Sequence, residues 1–172
     1  MYIIIRSESK EDYGHITRVN DLAFGQKHEG MLIDTLRKTD KFDPSLSLVA
    51  LVKDGVVGHI LFYPIFIRSQ DSEYVTLALA PMSVLPDFQR QNIGSKLVRE
   101  GIHRAKGLGF TSVIVLGHPL YYPRFGFEPA SKWNIKAPFD VPDNAFLALE
   151  LENDALRNKR GIVVYPEEFD SV

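Results

Sequence analysis

Two β-prone runs, residues 47–52 and 56–67, lie on either side of Asp54-Gly55. An Asp-Gly pair between such runs is the strongest short-range signal for a hairpin. This part of the chain is therefore committed to antiparallel pairing. Helical patterns surround it. Ser9-Lys10-Glu11-Asp12 resembles a capping box, in which Ser9 accepts an early helical N–H. Tyr13, Ile16, Val19 and Ala23 then form one apolar face, and Gly25 ends the segment. A second helix is expected over about residues 29–38.

Residues 3–5 make a short first strand, and a polar loop at 69–73 leads to another over about 74–80. A strand–loop–helix follows from Ala80 to Arg104. Ile93, Leu97, Val98, Ile102 and Ala105 line one helix face; Lys96, Arg99, Glu100 and Arg104 line the other. Gly107 and Gly109 stop the helix. Residues 112–116 read as a buried strand, Gly117-His118-Pro119 breaks it, and 120–125 make one helical turn or two. Two more strands are expected at 146–151 and 162–165. Six of the ten prolines fall between Pro119 and Pro166, so the second half carries more loop. The expectation is one α/β domain over residues 1–172, with a mixed, mostly antiparallel sheet flanked by helices.

Composition removes several function classes. The net charge is -2, without the basic excess that polyanion binding needs, so no nucleic-acid partner is expected. The chain has no cysteine, which excludes disulfides, thiolate catalysis and Cys-ligated metal, and fits a reducing compartment. His15, His28, His59 and His103 lack ligand spacing, so no metal is expected. The first apolar run is too short for a signal-peptide core, and Arg6, Glu8 and Lys10 follow at once. No stretch approaches the roughly 20 apolar residues of a membrane span. A cytoplasmic protein without a membrane partner is the expectation.

The loop before the third helix carries the chemistry. Free N–H groups at a helix start, with about half a positive charge from the dipole, favour a phosphate or pyrophosphate. Asn92 and Gly94 tolerate unusual backbone angles, and Arg90 and Lys96 add positive charge. The P-loop and the Gly-x-Gly-x-x-Gly fingerprint are both absent.

Gln89-Arg90-Gln91-Asn92-Ile93-Gly94 resembles the Gln/Arg-x-x-Gly-x-Gly/Ala cofactor motif of the GNAT superfamily of acyl-CoA-dependent acetyltransferases. Asn92 departs from the pattern, standing where the family usually has glycine. Tyr122-Pro123-Arg124-Phe125-Gly126-Phe127 is similar to the family's Tyr-x-x-x-Gly-Phe ending. The resemblance covers about residues 1–130 and leaves 131–172 as variable C-terminal strands. It is closest to an uncharacterised branch with a Gly-Asp-Pro-x-Tyr-Tyr-like loop, in which His118 replaces the acidic residue. Ala137-Pro138-Phe139-Asp140-Val141-Pro142 is similar to the same branch.

The resemblance implies a GNAT-like fold whose central parallel strands splay apart, with acetyl-CoA as co-substrate between them. It implies that Met82, Ser83 and Val84 hold the acetyl carbonyl and the pantetheine arm. Gln89, Arg90, Gln91, Asn92, Ile93, Gly94 and Ser95 would hold the pyrophosphate, and Lys96 or Arg99 would reach the ribose phosphate. Tyr122 is the implied general acid; an ordinary tyrosine is protonated at neutral pH. His118 is the leading base, with Glu29 and His59 as other candidates. The implied reaction is direct acetyl transfer to a primary amine of a small molecule or a protein. A hydroxyl or hydrazine acceptor stays open. The alternative is a non-catalytic acyl-CoA sensor or partner domain. Trp133 is read as local packing, and Glu167, Glu168 and Asp170 as an acidic tail. An edge strand near the C-terminus offers a place for two copies to pair.

Overall fold

The computed structural model describes residues 1–171. The chain divides into two compact units. The first comprises Met1–Tyr63, Ala80–Arg104 and the stretch from Glu167; the second comprises Pro64–Leu79 and Ala105–Pro166.

In the first unit, β1 (Ile4–Ser7) pairs antiparallel with β2 (Ser47–Val52), and β2 with β3, which spans Gly55–Arg68. The hairpin between β2 and β3 turns on Lys53 and Asp54, with φ of 50° and 67°. Two successive left-handed residues give the twist that matches a strand pair. The turn sits one residue before the expected Asp-Gly, and Gly55 already opens β3. Ahead of α1 (Tyr13–Phe24), the expected capping box is present on a 3₁₀ turn at Lys10–Asp12. Ser9 N–H and Oγ both donate to Asp12 Oδ2, at 2.8 and 3.1 Å. Arg6 donates to both oxygens of the same carboxylate, at 2.6 and 3.0 Å, and holds it below the usual carboxylate range. Gly25 ends α1 in the left-handed conformation.

The core of this unit follows from those faces. Ile16 and Val19 of α1 meet Leu32, Ile33 and Leu36 of α2 (His28–Arg37), together with Val49, Leu61 and Tyr63 of the sheet. Phe169 packs on this cluster, its ring 6.0 Å from that of Tyr63. The expected acidic tail is therefore a 3₁₀ turn, Glu167–Ser171, anchored by an aromatic residue. One buried polar chain crosses the core. Arg37 Nε donates to Glu8 at 2.7 Å, Ser47 Oγ donates to Glu8, and His59 Nε2 lies 2.9 Å from Ser47 Oγ. Because Ser47 has one proton to give, His59 Nε2–H is the donor in the last pair. The ring is neutral, and burial, with Arg37 adding repulsion, pushes its pKa down to about 3.

The second unit holds the C-terminal end of β3 and the first part of β4 (Glu73–Val84). Here β4 runs parallel to β5 (Ser112–Leu116), through Leu77↔Val113 and Ala78↔Ile114. Beyond that register β4 continues past Pro81, which has no N–H for a ladder. β8 (Phe146–Glu150) pairs antiparallel with both β5 and the two-residue β6, Glu128–Pro129. β9 (Gly161–Val164) lies antiparallel to β3 and parallel to the two-residue β7, Ile135–Lys136. The last strand is thus paired with β3 along residues 162–164 and with β7 at Gly161 and Ile162. β6 and β7 escape sequence reading because two residues leave no periodicity. By these pairings the fold is α/β, with a mixed, mostly antiparallel sheet flanked by helices.

Candidate functional site

The proposed cofactor loop lies wholly in the first unit. β4 ends at Val84, and Pro86–Phe88 form a 3₁₀ turn. Leu85 N–H donates to Val57 O at 2.8 Å, which ties the turn to β3. Gln89 then closes it from the other side, with its Nε2 donating to Val84 O at 3.0 Å. The Gln89 N–H is itself used within the turn, on Pro86 O at 3.3 Å. So Gln89 shapes the loop through both groups.

Arg90 and Asn92 follow with φ of 62° and 69°, both left-handed. Asn92 suits this left-handed position, since Asn visits the region with less penalty than most residues. The left-handed Arg90 has no counterpart in the sequence reading. Gly94 stands in the first turn of α3 (Ile93–Gly107), so it contributes an open approach rather than an unusual angle. α3 sits close on β3 because of Gly58. A Cβ there would come within 3.1 Å of Leu97 Cδ1 and 3.2 Å of Ile93 Cγ2. Helix geometry leaves the first-turn N–H groups of Ile93 and Gly94 without an intrahelical acceptor. Arg90 and Lys96 are exposed beside them. Met82 is half-buried, and Ser83 is buried with no partner for its Oγ among the described residues.

The two proposed catalytic side chains lie in the second unit. Tyr122 opens a 3₁₀ turn, Tyr122–Phe125, and is 8% exposed. Its ring meets the edges of Tyr121 and Phe127, with centroids 5.0 and 5.7 Å away. Burial, reinforced by Tyr121, pushes its hydroxyl pKa well above the ordinary tyrosine value. His118 is exposed, and its Nδ1 accepts the Leu120 N–H at 3.1 Å. The lone pair of the neutral ring is thereby engaged.

The remaining base candidates are in the first unit. Glu29 is buried, and Gln26 Nε2 donates to both of its oxygens, at 3.0 and 2.9 Å. His59 cannot serve as the base. It is fully buried, and its Nε2 belongs to the Ser47–Glu8 chain. Among the described residues no three His, Cys, Asp or Glu side chains gather as a metal site. Nor is any described helix long and apolar enough to cross a membrane.

Residues 9–127 match the model of the acetyltransferase (GNAT) family. The chain belongs to the GNAT family. Two curated relatives are similar over most of their length. The uncharacterized N-acetyltransferase YhbS of Escherichia coli K12 is 32% identical over 169 residues, 98% of this chain and 99% of its own. The uncharacterized N-acetyltransferase YjhQ of the same organism is 37% identical over 135 residues, 78% of this chain and 75% of its own. Among solved structures, E. coli YhbS in complex with CoA aligns with a TM-score of 0.90 at 30% identity, over 98% of this chain and 92% of that one. A GNAT acetyltransferase from Brucella melitensis in complex with acetyl-CoA aligns with a TM-score of 0.80 at 34% identity, over 98% and 99%.

The residues of this GNAT chain fit such a ligand. The left-handed pair Arg90 and Asn92, the open α3 start and the two flanking cations suit a pyrophosphate. The buried, unpartnered Ser83 Oγ is a polar atom that a bound molecule would satisfy. Sequence reading placed Asn92 and Gly94 in the loop. It could not give the Ser83 hydroxyl its burial, which depends on what packs around β4.

Proposed function

We propose that this chain transfers the acetyl group of acetyl-CoA to a primary amine, in a ternary complex without a covalent enzyme intermediate. The carrying observation is the Gln89–Gly94 loop. Its two left-handed residues turn the backbone onto an open helix start, in a family whose solved members include CoA and acetyl-CoA complexes. The loop amides and Arg90 hold the pyrophosphate. Met82, Ser83 and Val84 hold the acyl end, where an N–H aimed at the carbonyl oxygen stabilises the charge that grows on it.

The amine nitrogen bonds the thioester carbonyl carbon, and the carbon–sulfur bond breaks. Burial raises the Tyr122 pKa, so the hydroxyl holds its proton until charge builds on the departing sulfur; it then gives that proton to the thiolate and regains one from water once the products leave. The proton released by the amine goes to His118, which requires its ring to let go of the Leu120 N–H. Glu29, held by Gln26, is the second acceptor for that proton. The whole chain works as one acetyltransferase domain. The cytoplasm is the compartment favoured by the missing cysteine.

Thermal unfolding with acetyl-CoA, CoA and ATP tests the reading. A ligand at 100 times its Kd adds about 2.7 kcal/mol, or roughly 5–10 °C for a domain of this size. Acetyl-CoA and CoA should raise the midpoint by more than ATP does at equal concentration, and Gly94→Glu should abolish that difference. Thiol release with amines then separates an enzyme from a sensor. A full shift retained by Gly94→Glu overturns the pyrophosphate assignment.

A further inference from the structure

The second unit contains a cleft of about 510 Å³ lined by Lys132, Trp133, Asn134, Arg157, Asn158 and Arg160. None of these residues belongs to the cofactor loop or to the proposed catalytic pair. The lining holds three cations and no carboxylate, in a chain whose net charge is -2. Lys132 is the one cation with a partner. Its Nζ bonds Glu128 at 3.0 and 3.1 Å and lies 5.0 Å from the Trp133 ring centroid. The side chains of Arg157 and Arg160 make no hydrogen bond or ion pair with another described residue. The side-chain amides of Asn134 and Asn158 and the Trp133 indole N–H are likewise unengaged. A second recess of about 500 Å³ shares Asn134 and Arg160 and adds Lys136.

Uncommitted donors converging on a cleft with no acceptor acid call for an anion with many oxygens. Guanidinium groups are suited to it, since each presents five N–H donors in a fork that fits phosphate oxygens. The volume falls within the roughly 300–1,000 Å³ of ordinary small-molecule sites. A half-buried indole beside the cations adds a face on which a planar ring can stack. We propose that this cleft binds a small molecule bearing a polyphosphate, at a site separate from the acetyl-CoA loop.

Trp133 is the sole tryptophan in the chain, so its fluorescence reports on this cleft alone. The experiment titrates the full-length protein with ADP, tripolyphosphate and adenosine. It uses the wild type, the Gly94→Glu variant, and the double variant Arg157→Gln with Arg160→Gln. Both arginines are exposed, so their loss leaves folding intact. ADP and tripolyphosphate should give a saturable change, equal in the wild type and in Gly94→Glu. In the double variant the affinity should drop by about tenfold or more, since both guanidinium groups that would bond the phosphate oxygens are lost. Adenosine should give no change. Tighter binding of ADP identifies a nucleotide that stacks on Trp133; equal binding of tripolyphosphate identifies a bare polyphosphate. The proposal fails if neither anion gives a saturable change. It also fails if the double variant binds as well as the wild type, or if Gly94→Glu removes the signal. The readout does not depend on turnover or on acetyl-CoA, so it stands or falls independently of the proposed activity.

Discussion

Replacing Gly117 with alanine should destabilise the protein through one ring. Gly117 follows β5, and its N–H donates to Ala145 O at 2.9 Å. A Cβ at this position would lie 2.3 Å from Tyr122 Cε2 and 2.6 Å from Tyr122 Cδ2. Carbon atoms settle at about 3.5–4.0 Å, so the ring must retreat by roughly 1 Å. It has little room, because Tyr122 is 8% exposed and wedged against Tyr121 and Phe127. Gly117 lies outside the left-handed region, so the backbone accepts alanine and the cost is the ring's. Overpacking of this kind costs about 1–3 kcal/mol, or roughly 2–12 °C in Tm at 2–4 °C per kcal/mol. The assay is urea unfolding of the wild type, Gly117→Ala, Tyr122→Ala and the double variant. With the ring removed, the alanine at 117 should cost less than about 0.5 kcal/mol, leaving a coupling energy of about 1 kcal/mol or more. Additive effects of the two changes would show that the added methyl and the ring do not meet, and would refute the reasoning.

Three further outcomes are expected. Tyr122→Phe should leave the acetyl-CoA-induced rise in Tm intact and lower kcat at every pH; an unchanged maximal rate excludes the hydroxyl as the acid. Asn92→Val should cost about 1–2 kcal/mol, the left-handed penalty of a residue with no local compensation, whereas Asn92→Gly should keep both stability and acetyl-CoA affinity; equal unfolding midpoints for the two variants contradict the φ of 69°. His59 takes its proton near pH 3 in the folded state but near 6.5 in the unfolded chain. The unfolded state thus binds more protons between those values, and stability falls as pH drops through that window, by up to roughly 4–5 kcal/mol. Urea unfolding at a series of pH values should show this slope in the wild type and a flatter one in His59→Gln; parallel slopes would assign the loss to other groups.

The fold was legible where residue pattern and local geometry agree. The capping box at Ser9 and Asp12, the stop at Gly25, the β2–β3 hairpin and strand 112–116 all depend on neighbours in the chain. The hairpin slipped by one residue because Lys53 takes a positive φ that its side chain does not advertise. Arg90 hid in the same way. The motif around Asn92 was readable because glycine and asparagine share one backbone region, and the family match over 9–127 agrees with it.

The sequence by itself determined the order of the α-helices and of the longer strands, the loop that meets α3, and the absence of thiol chemistry, since each rests on residues adjacent in the chain or on composition. Tertiary structure alone decided which side chains lose water and which keep it. Glu8, Arg37, Ser47 and His59 come from four separate segments, and only packing makes them a single buried chain that removes His59 from the list of bases. Trp133 reads as local packing, and Arg157 and Arg160 carry no signal in the sequence, until β7 and β9 bring their segments together around one cleft. Desolvation and donor satisfaction are properties of a neighbourhood, and the neighbourhood exists only once the chain has folded.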